Sequence, residues 1–209
     1  MKTRIKICGI TNLQDAQAAV NCGVDILGFN FYKASPRYIN QEATRAIIRQ
    51  LPFYLGTAGI LVQPRKDEML QIAQESLVNA LQVYEPQDIH DFHDFPIPII
   101  YCIRLQDGEM LKIPENGAAM ILLDTYSKSE YGGTGKRFDW AKITDTIPRE
   151  RLILAGGIDT DNVEEALRIV NPAVVDVASG AEIEPGKKDE KKMAELVKKI
   201  ESFNQKNFQ

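Results

Sequence analysis

Eight short apolar segments alternate with stretches of helical periodicity along the 209 residues, and this alternation constrains the fold more than any other feature. The predicted strands cover residues 4–8, 24–31, 54–62, 80–84, 97–103, 118–124, 151–155 and 173–178. Helices are predicted over 12–22, 41–51, 64–77, 86–95, 138–147, 160–170 and 188–203, with one or two helical turns within 106–116. Strands that alternate with helices build a parallel sheet with crossover connections. Eight such units close into an α/β (βα)₈ TIM barrel of eight parallel strands, and an open doubly wound sheet is the competing arrangement. The length sits near the lower end of the roughly 200 to over 400 residues of such barrels. No linker or internal duplication interrupts the pattern, so residues 1–209 are expected to form a single domain.

The first predicted strand carries the first chemical signal. Period-2 geometry puts Arg4, Lys6 and Cys8 on one face and Ile5 and Ile7 on the other. Gly9 breaks the strand, and Asn12, with Asp15 three residues on, reads as a helix cap. Cys8 thus stands at a carboxyl end, where parallel α/β folds place their chemistry.

Composition excludes several classes. No apolar run approaches the roughly 20 residues of a membrane span, and the amino terminus runs directly into a strand, so a cytoplasmic protein is expected. A net charge of −4 argues against a nucleic-acid binder but leaves room for a small anion held by backbone N–H groups. The three cysteines have no disulfide spacing, and Cys22 and Cys102 read as small core residues. His90 and His93 have helical i, i+3 spacing, but no third ligand accompanies them, so they read as a solvated helix face.

At the carboxyl ends of the predicted strands stand Cys8, Asn30, the loop with Arg37, Tyr84, Asp124, Gly156-Gly157 and Ser179-Gly180. Cys8 is either a buried strand-end thiol or a base, and Lys6 on its face would lower its pKa. Asp124 is either a loop brace or an acid. The segment Gly132-Gly133-Thr134-Gly135-Lys136 is a phosphate nest or a lid, and lacks the spacing and ending of a P-loop. Glycines after strands seven and eight match the recurrent phosphate site of these barrels. Asp176 reads as an inward structural carboxylate bonded to a neighbouring polar group.

Lys6-Ile7-Cys8-Gly9-Ile10-Thr11, Ser35-Pro36-Arg37-Tyr38, Leu122-Leu123-Asp124, Tyr131-Gly132-Gly133-Thr134-Gly135, Gly156-Gly157-Ile158 with Asn162-Val163, and Ser179-Gly180 with Gly186-Lys187-Lys188-Asp189 together resemble phosphoribosylanthranilate isomerase. The resemblance runs in order from Lys6 to Asp189 and is thin between about Lys66 and Gly117. It implies an Amadori rearrangement in tryptophan synthesis, with a phosphorylated aminosugar as substrate and neither metal nor organic cofactor. It implies Asp124 as general acid, Cys8 as general base, and Arg37 as the holder of the anthranilate carboxylate. Gln82, Tyr84, Gly133, Gly156, Gly157, Ser179 and Gly180 become the further substrate-binding residues. No nucleic-acid or membrane partner is implied, and the family includes monomers and homodimers.

Two positions depart from the pattern. Gln82-Val83-Tyr84-Glu85 stands where members commonly read Gln-Leu-His-Gly, so Tyr84 cannot supply an imidazole and Glu85 brings negative charge toward an anionic ligand. Ala178-Ser179-Gly180 replaces Ser-Ser-Gly and loses one hydroxyl. Neither removes the acid or the base. A histidine-pathway aminoaldose isomerase would be expected to pair two aspartates and to carry phosphate motifs in both halves. A barrel that only binds would need no paired acid and base.

Overall fold

The computed structural model describes residues 2–105, 113–125, 140, 143 and 147–207. Eight strands form a closed barrel in sequence order, each parallel to its neighbours. They are β1 (Arg4–Cys8), β2 (Ile26–Asn30), β3 (Gly56–Val62), β4 (Ala80–Tyr84), β5 (Ile99–Leu105), β6 (Met120–Thr125), β7 (Leu152–Leu154) and β8 (Val174–Val177). The helices are α1 (Leu13–Asn21), α2 (Gln41–Ile48), α3 (Lys66–Glu75), α4 (Val163–Val170) and α5 (Glu190–Asn207). A short antiparallel hairpin, β9 (Glu182–Glu184) and β10 (Lys187–Lys188), follows β8. None of the described helices is long and apolar enough to cross a membrane.

Two apolar layers hold the barrel together. Ile5, Ile7, Leu27, Phe29, Leu81, Val83, Leu123, Leu154, Val175 and Val177 point outward and pack with Ala16, Ala19, Met69, Ala166, Leu167 and Leu196. Ala58, Ile60, Tyr84, Ile100, Cys102, Leu122, Ile153, Ala155 and Val174 fill the interior. The alternation read from β1 therefore sorts as expected, with Ile5 and Ile7 outside. Closure pairs β1 with β8 and sets Lys6 beside Asp176.

Local sequence fixes the helix ends. Asn12 accepts from the Asp15 N–H at 2.8 Å and donates to its carboxylate at 3.0 Å, a reciprocal cap for α1. α4 starts three residues later than expected. The Asp159 side chain takes the N–H groups of Asp161 and Asn162 and holds them in a turn. The expected helix over 86–95 does not form. Its aspartates bind backbone instead, Asp88 to the Lys66 N–H and Asp91 to the His93 N–H, and Phe92 donates to Asn116 O. His90 and His93 therefore share no helix face. Most of the expected helix over 138–147 and most of segment 106–116 lie outside the described residues.

Candidate active site

At the carboxyl ends of the strands, Cys8, Asn30, Arg37, Gln82, Tyr84, Asp124, Gly156, Gly157, Asp176 and Ser179 line one cavity. Gly180 stands directly behind its wall. The cavity lining thus brings together the site residues expected from sequence except Gly180, which is not part of it, and Gly133, which lies outside the described residues. A larger cavity of about 770 Å³ opens at the opposite mouth, lined by the first residues of the strands. Its lining includes Arg4, Asp25 and Ala173, and neither Cys8 nor Asp124 reaches it. Size does not select the site here; chemistry does.

Asp124 is 3% exposed. Burial pushes its pKa up to about 6, against two donors that favour the charged form, the Tyr84 hydroxyl and the Thr125 N–H. Those donors reach Oδ2 at 3.0 Å and Oδ1 at 2.8 Å. A carboxyl with this value keeps about a tenth of its population neutral at pH 7, far more than an ordinary aspartate would, and so retains a usable general acid.

Lys6 lowers the Cys8 pKa, as expected from sequence, but burial outweighs it and the net shift is upward. Lys6, 0% exposed, gives its ammonium to Asp176 at 2.9 Å. Burial opposes the Lys6 charge, but Asp176 outweighs it and keeps Lys6 protonated. The Cys8 thiol is open to the cavity yet enclosed by protein, and this burial raises its pKa, with Asp176 adding to the rise and Lys6 and Lys188 opposing it. Lys6→Met should destabilise the fold by about 3–5 kcal/mol in urea unfolding, because it leaves Asp176 buried without its counter-charge.

Arg37 comes from the loop after β2. Its Nε and Nη2 donate to both oxygens of Glu182 at 2.9 and 2.8 Å, a bidentate pair that fixes the guanidinium plane at the cavity wall. Glu182 also accepts from Lys188 Nζ at 2.7 Å and from the Gly186 N–H at 3.2 Å, and Lys188 donates to the Cys8 carbonyl. One buried carboxylate therefore ties together the loops after β1, β2 and β8.

The loops after β7 and β8 approach each other closely. Asn162 braces the first by donating to Gly157 O at 2.9 Å and accepting from the Asp159 N–H at 3.1 Å. Gly156 has φ +88°, and a Cβ there would meet Thr125 Oγ1 at 2.3 Å. A Cβ on Gly180 would fall 2.1 Å from Ile158 O. The N–H groups of Gly156, Gly157, Ser179 and Gly180 donate to none of the described residues. Such a concave set of amides suits a phosphate. Gly180→Ala should cost about 1–3 kcal/mol in urea unfolding and weaken inorganic phosphate binding, because backbone must move to admit the methyl.

Comparison with known proteins places the chain in a family. The family model described as N-(5'-phosphoribosyl)anthranilate (PRA) isomerase matches residues 5–199. The N-(5'-phosphoribosyl)anthranilate isomerase of Geobacter sp. (strain M21) is 39% identical over 196 residues, covering 93% of this chain and 96% of that protein. The chain belongs to the PRA isomerase family. The crystal structure of phosphoribosyl anthranilate isomerase from Thermotoga maritima superposes with a TM-score of 0.82 at 35% identity, covering 96% of this chain and 99% of that one. A phosphoribosyl anthranilate isomerase solved with reduced 1-(o-carboxyphenylamino)-1-deoxyribulose 5-phosphate has a TM-score of 0.78 at 32% identity, covering 96% and 99%.

Within this PRA isomerase barrel the departure at Tyr84-Glu85 takes physical form. Tyr84 points into the cavity and bonds to Asp124. Glu85 pairs with Arg104 and accepts from Gln63, so its charge is met by a guanidinium and not turned on the cavity. Sequence reading gave no role to Glu182 or Lys188. The available signal was a carboxylate between Ala181 and Ile183, directly after the Ser179-Gly180 turn.

Proposed function

We propose that this chain catalyses the Amadori rearrangement of N-(5-phosphoribosyl)anthranilate to 1-(2-carboxyphenylamino)-1-deoxyribulose 5-phosphate, a step of tryptophan synthesis. The observation that carries the reading is the pairing of Asp124 and Cys8 across one cavity, an acid and a base of different side-chain type. Asp124 gives its proton to the furanose ring oxygen. The C1–O bond breaks with its electron pair on oxygen, and the nitrogen lone pair forms the iminium. Cys8 then removes the C2 proton, the C–H pair becomes the C1=C2 bond, and the iminium is neutralised. Tautomerisation of this enolamine yields the ketose.

The remaining residues bind. Amides around Gly156, Gly157, Ser179 and Gly180 take the phosphate, and Gly133 is assigned to substrate binding from sequence. Arg37, held by Glu182, faces the anthranilate carboxylate. Gln82 and Tyr84 border the sugar. The family relative holding a reduced product analogue supports this substrate class.

The test is the fluorescence loss of freshly prepared phosphoribosylanthranilate mixed with purified protein, with Asp124→Asn as control. Turnover that depends on Asp124 is the expected result. No turnover from folded protein overturns the proposal and moves the search to other phosphoribosyl aminoaldoses.

A further inference from the structure

We propose that Tyr84 is a positioning residue for the acid step: its hydroxyl, steered by Gln82, donates to Asp124 and stabilises the carboxylate left when Asp124 gives up its proton. The inference rests on the reading of Asp124 as the acid. Gln82 and Tyr84 are two residues apart on β4 and share the inward face. Gln82 Nε2 donates to the Tyr84 hydroxyl oxygen at 3.3 Å, which directs the hydroxyl proton toward Asp124 Oδ2 at 3.0 Å. The contact spans the barrel interior, because β5 lies between β4 and β6.

The Thr125 N–H already serves Oδ1 at 2.8 Å. When the proton leaves for the ring oxygen, the new carboxylate meets a donor at each oxygen. Hydrogen bonds to an ionised acceptor are roughly twice as strong as neutral ones, so the Tyr84 contact strengthens along the reaction coordinate. Only an interaction that strengthens in this way accelerates the step.

A tyrosine suits this task differently from the histidine common at this position in the family. Burial and then the Asp124 charge raise the Tyr84 pKa well above its ordinary value, so the donor keeps one charge state while Asp124 titrates. An imidazole would itself titrate nearby. The other ionisable groups facing Asp124 are Cys102 and Arg104 from β5 and Asp176 from β8. Arg104 is paired with Glu85 and Asp176 with Lys6. Cys8 and Lys6 face the same interior from β1.

The test needs no substrate. Aspartate carboxyl carbons are labelled with ¹³C, the Asp124 resonance is assigned by its loss in Asp124→Asn, and its ionisation is followed by NMR. Tyr84→Phe should move that ionisation up by about one pH unit, the size expected from losing a donor to a charged group. Placing 3-fluorotyrosine at position 84 strengthens the donor with little change in shape and should move the ionisation down. The pH limb of kcat/KM assigned to Asp124 should follow in both directions. Opposite movements are the signature of a hydrogen bond. An ionisation that stays put in both variants, or moves the same way in both, overturns the proposal. If Tyr84→Phe does not fold, the sign of the 3-fluorotyrosine movement decides. Wild-type turnover tests the acid assignment separately, so the two failures are distinguishable.

Discussion

Asp124→Asn is expected to lower kcat/KM by about 10²–10⁴-fold, the range that one general acid contributes, while fold and phosphate binding survive. The amide keeps the shape of the carboxyl: its oxygen can still accept from the Thr125 N–H, and its NH2 takes the place of Oδ2 and can donate to the Tyr84 hydroxyl oxygen once that hydroxyl turns its proton away. What is lost is the proton. The variant should also change the pH profile. With Asp124 near 6 and Cys8 raised above its ordinary range, the neutral-pH enzyme is mostly carboxylate and thiol. The reactive form, carboxyl and thiolate, carries the same number of protons, so its fraction is constant between the two ionisations. Activity therefore falls below about pH 6, where a second proton binds, and falls again above the Cys8 ionisation, where the last one leaves. In Asp124→Asn the limb near pH 6 should vanish apart from any part due to the substrate phosphate, whose second ionisation is also near 6. A variant with wild-type rate and an unchanged limb would remove Asp124 from the mechanism.

The fold was legible because each strand is a short apolar run and each described helix has a matching cap or apolar stripe, Met69 and Ile72 on α3 among them. Asn12 announced α1, and Val163, Ala166, Leu167 and Val170 announced α4. The segment around Asp88, Asp91 and Asp94 misled, because its helical length hid side chains that bind backbone more readily than they support a turn of helix. Cys8 and Asp124 were visible as polar residues ending apolar strands. Their energetic setting was not. The rise in the Cys8 pKa comes from enclosure by the whole barrel, and Lys6, two residues away in sequence, is claimed by Asp176, 170 positions on. The Tyr84–Asp124 contact likewise requires the closed barrel, since the two strands are not neighbours. Sequence periodicity reports which face a residue takes. It does not report which residue will stand opposite once the sheet closes.

Cys8→Ser should cost a comparable factor, about 10²–10⁴ in kcat/KM, because a serine hydroxyl is a far weaker base at the same place. The objection to Cys8 is its raised pKa, which leaves little thiolate in the free enzyme. The order of steps answers it. Ring opening places a positive iminium next to the C2–H bond that Cys8 attacks, and a cation within a few ångströms favours the thiolate. Lys6 and Lys188 act in the same direction, and the low-dielectric interior that raised the pKa also strengthens these attractions. The acid step therefore makes the base competent, and the two variants should fail at different points. Substrate deuterated at C2 separates them. In Cys8→Ser, proton removal becomes limiting and the full primary isotope effect should appear. In Asp124→Asn, ring opening limits, and the effect should shrink toward one. If Cys8→Ser retains wild-type turnover, or if Asp124→Asn displays the larger isotope effect, the assignment of base and acid is wrong or reversed.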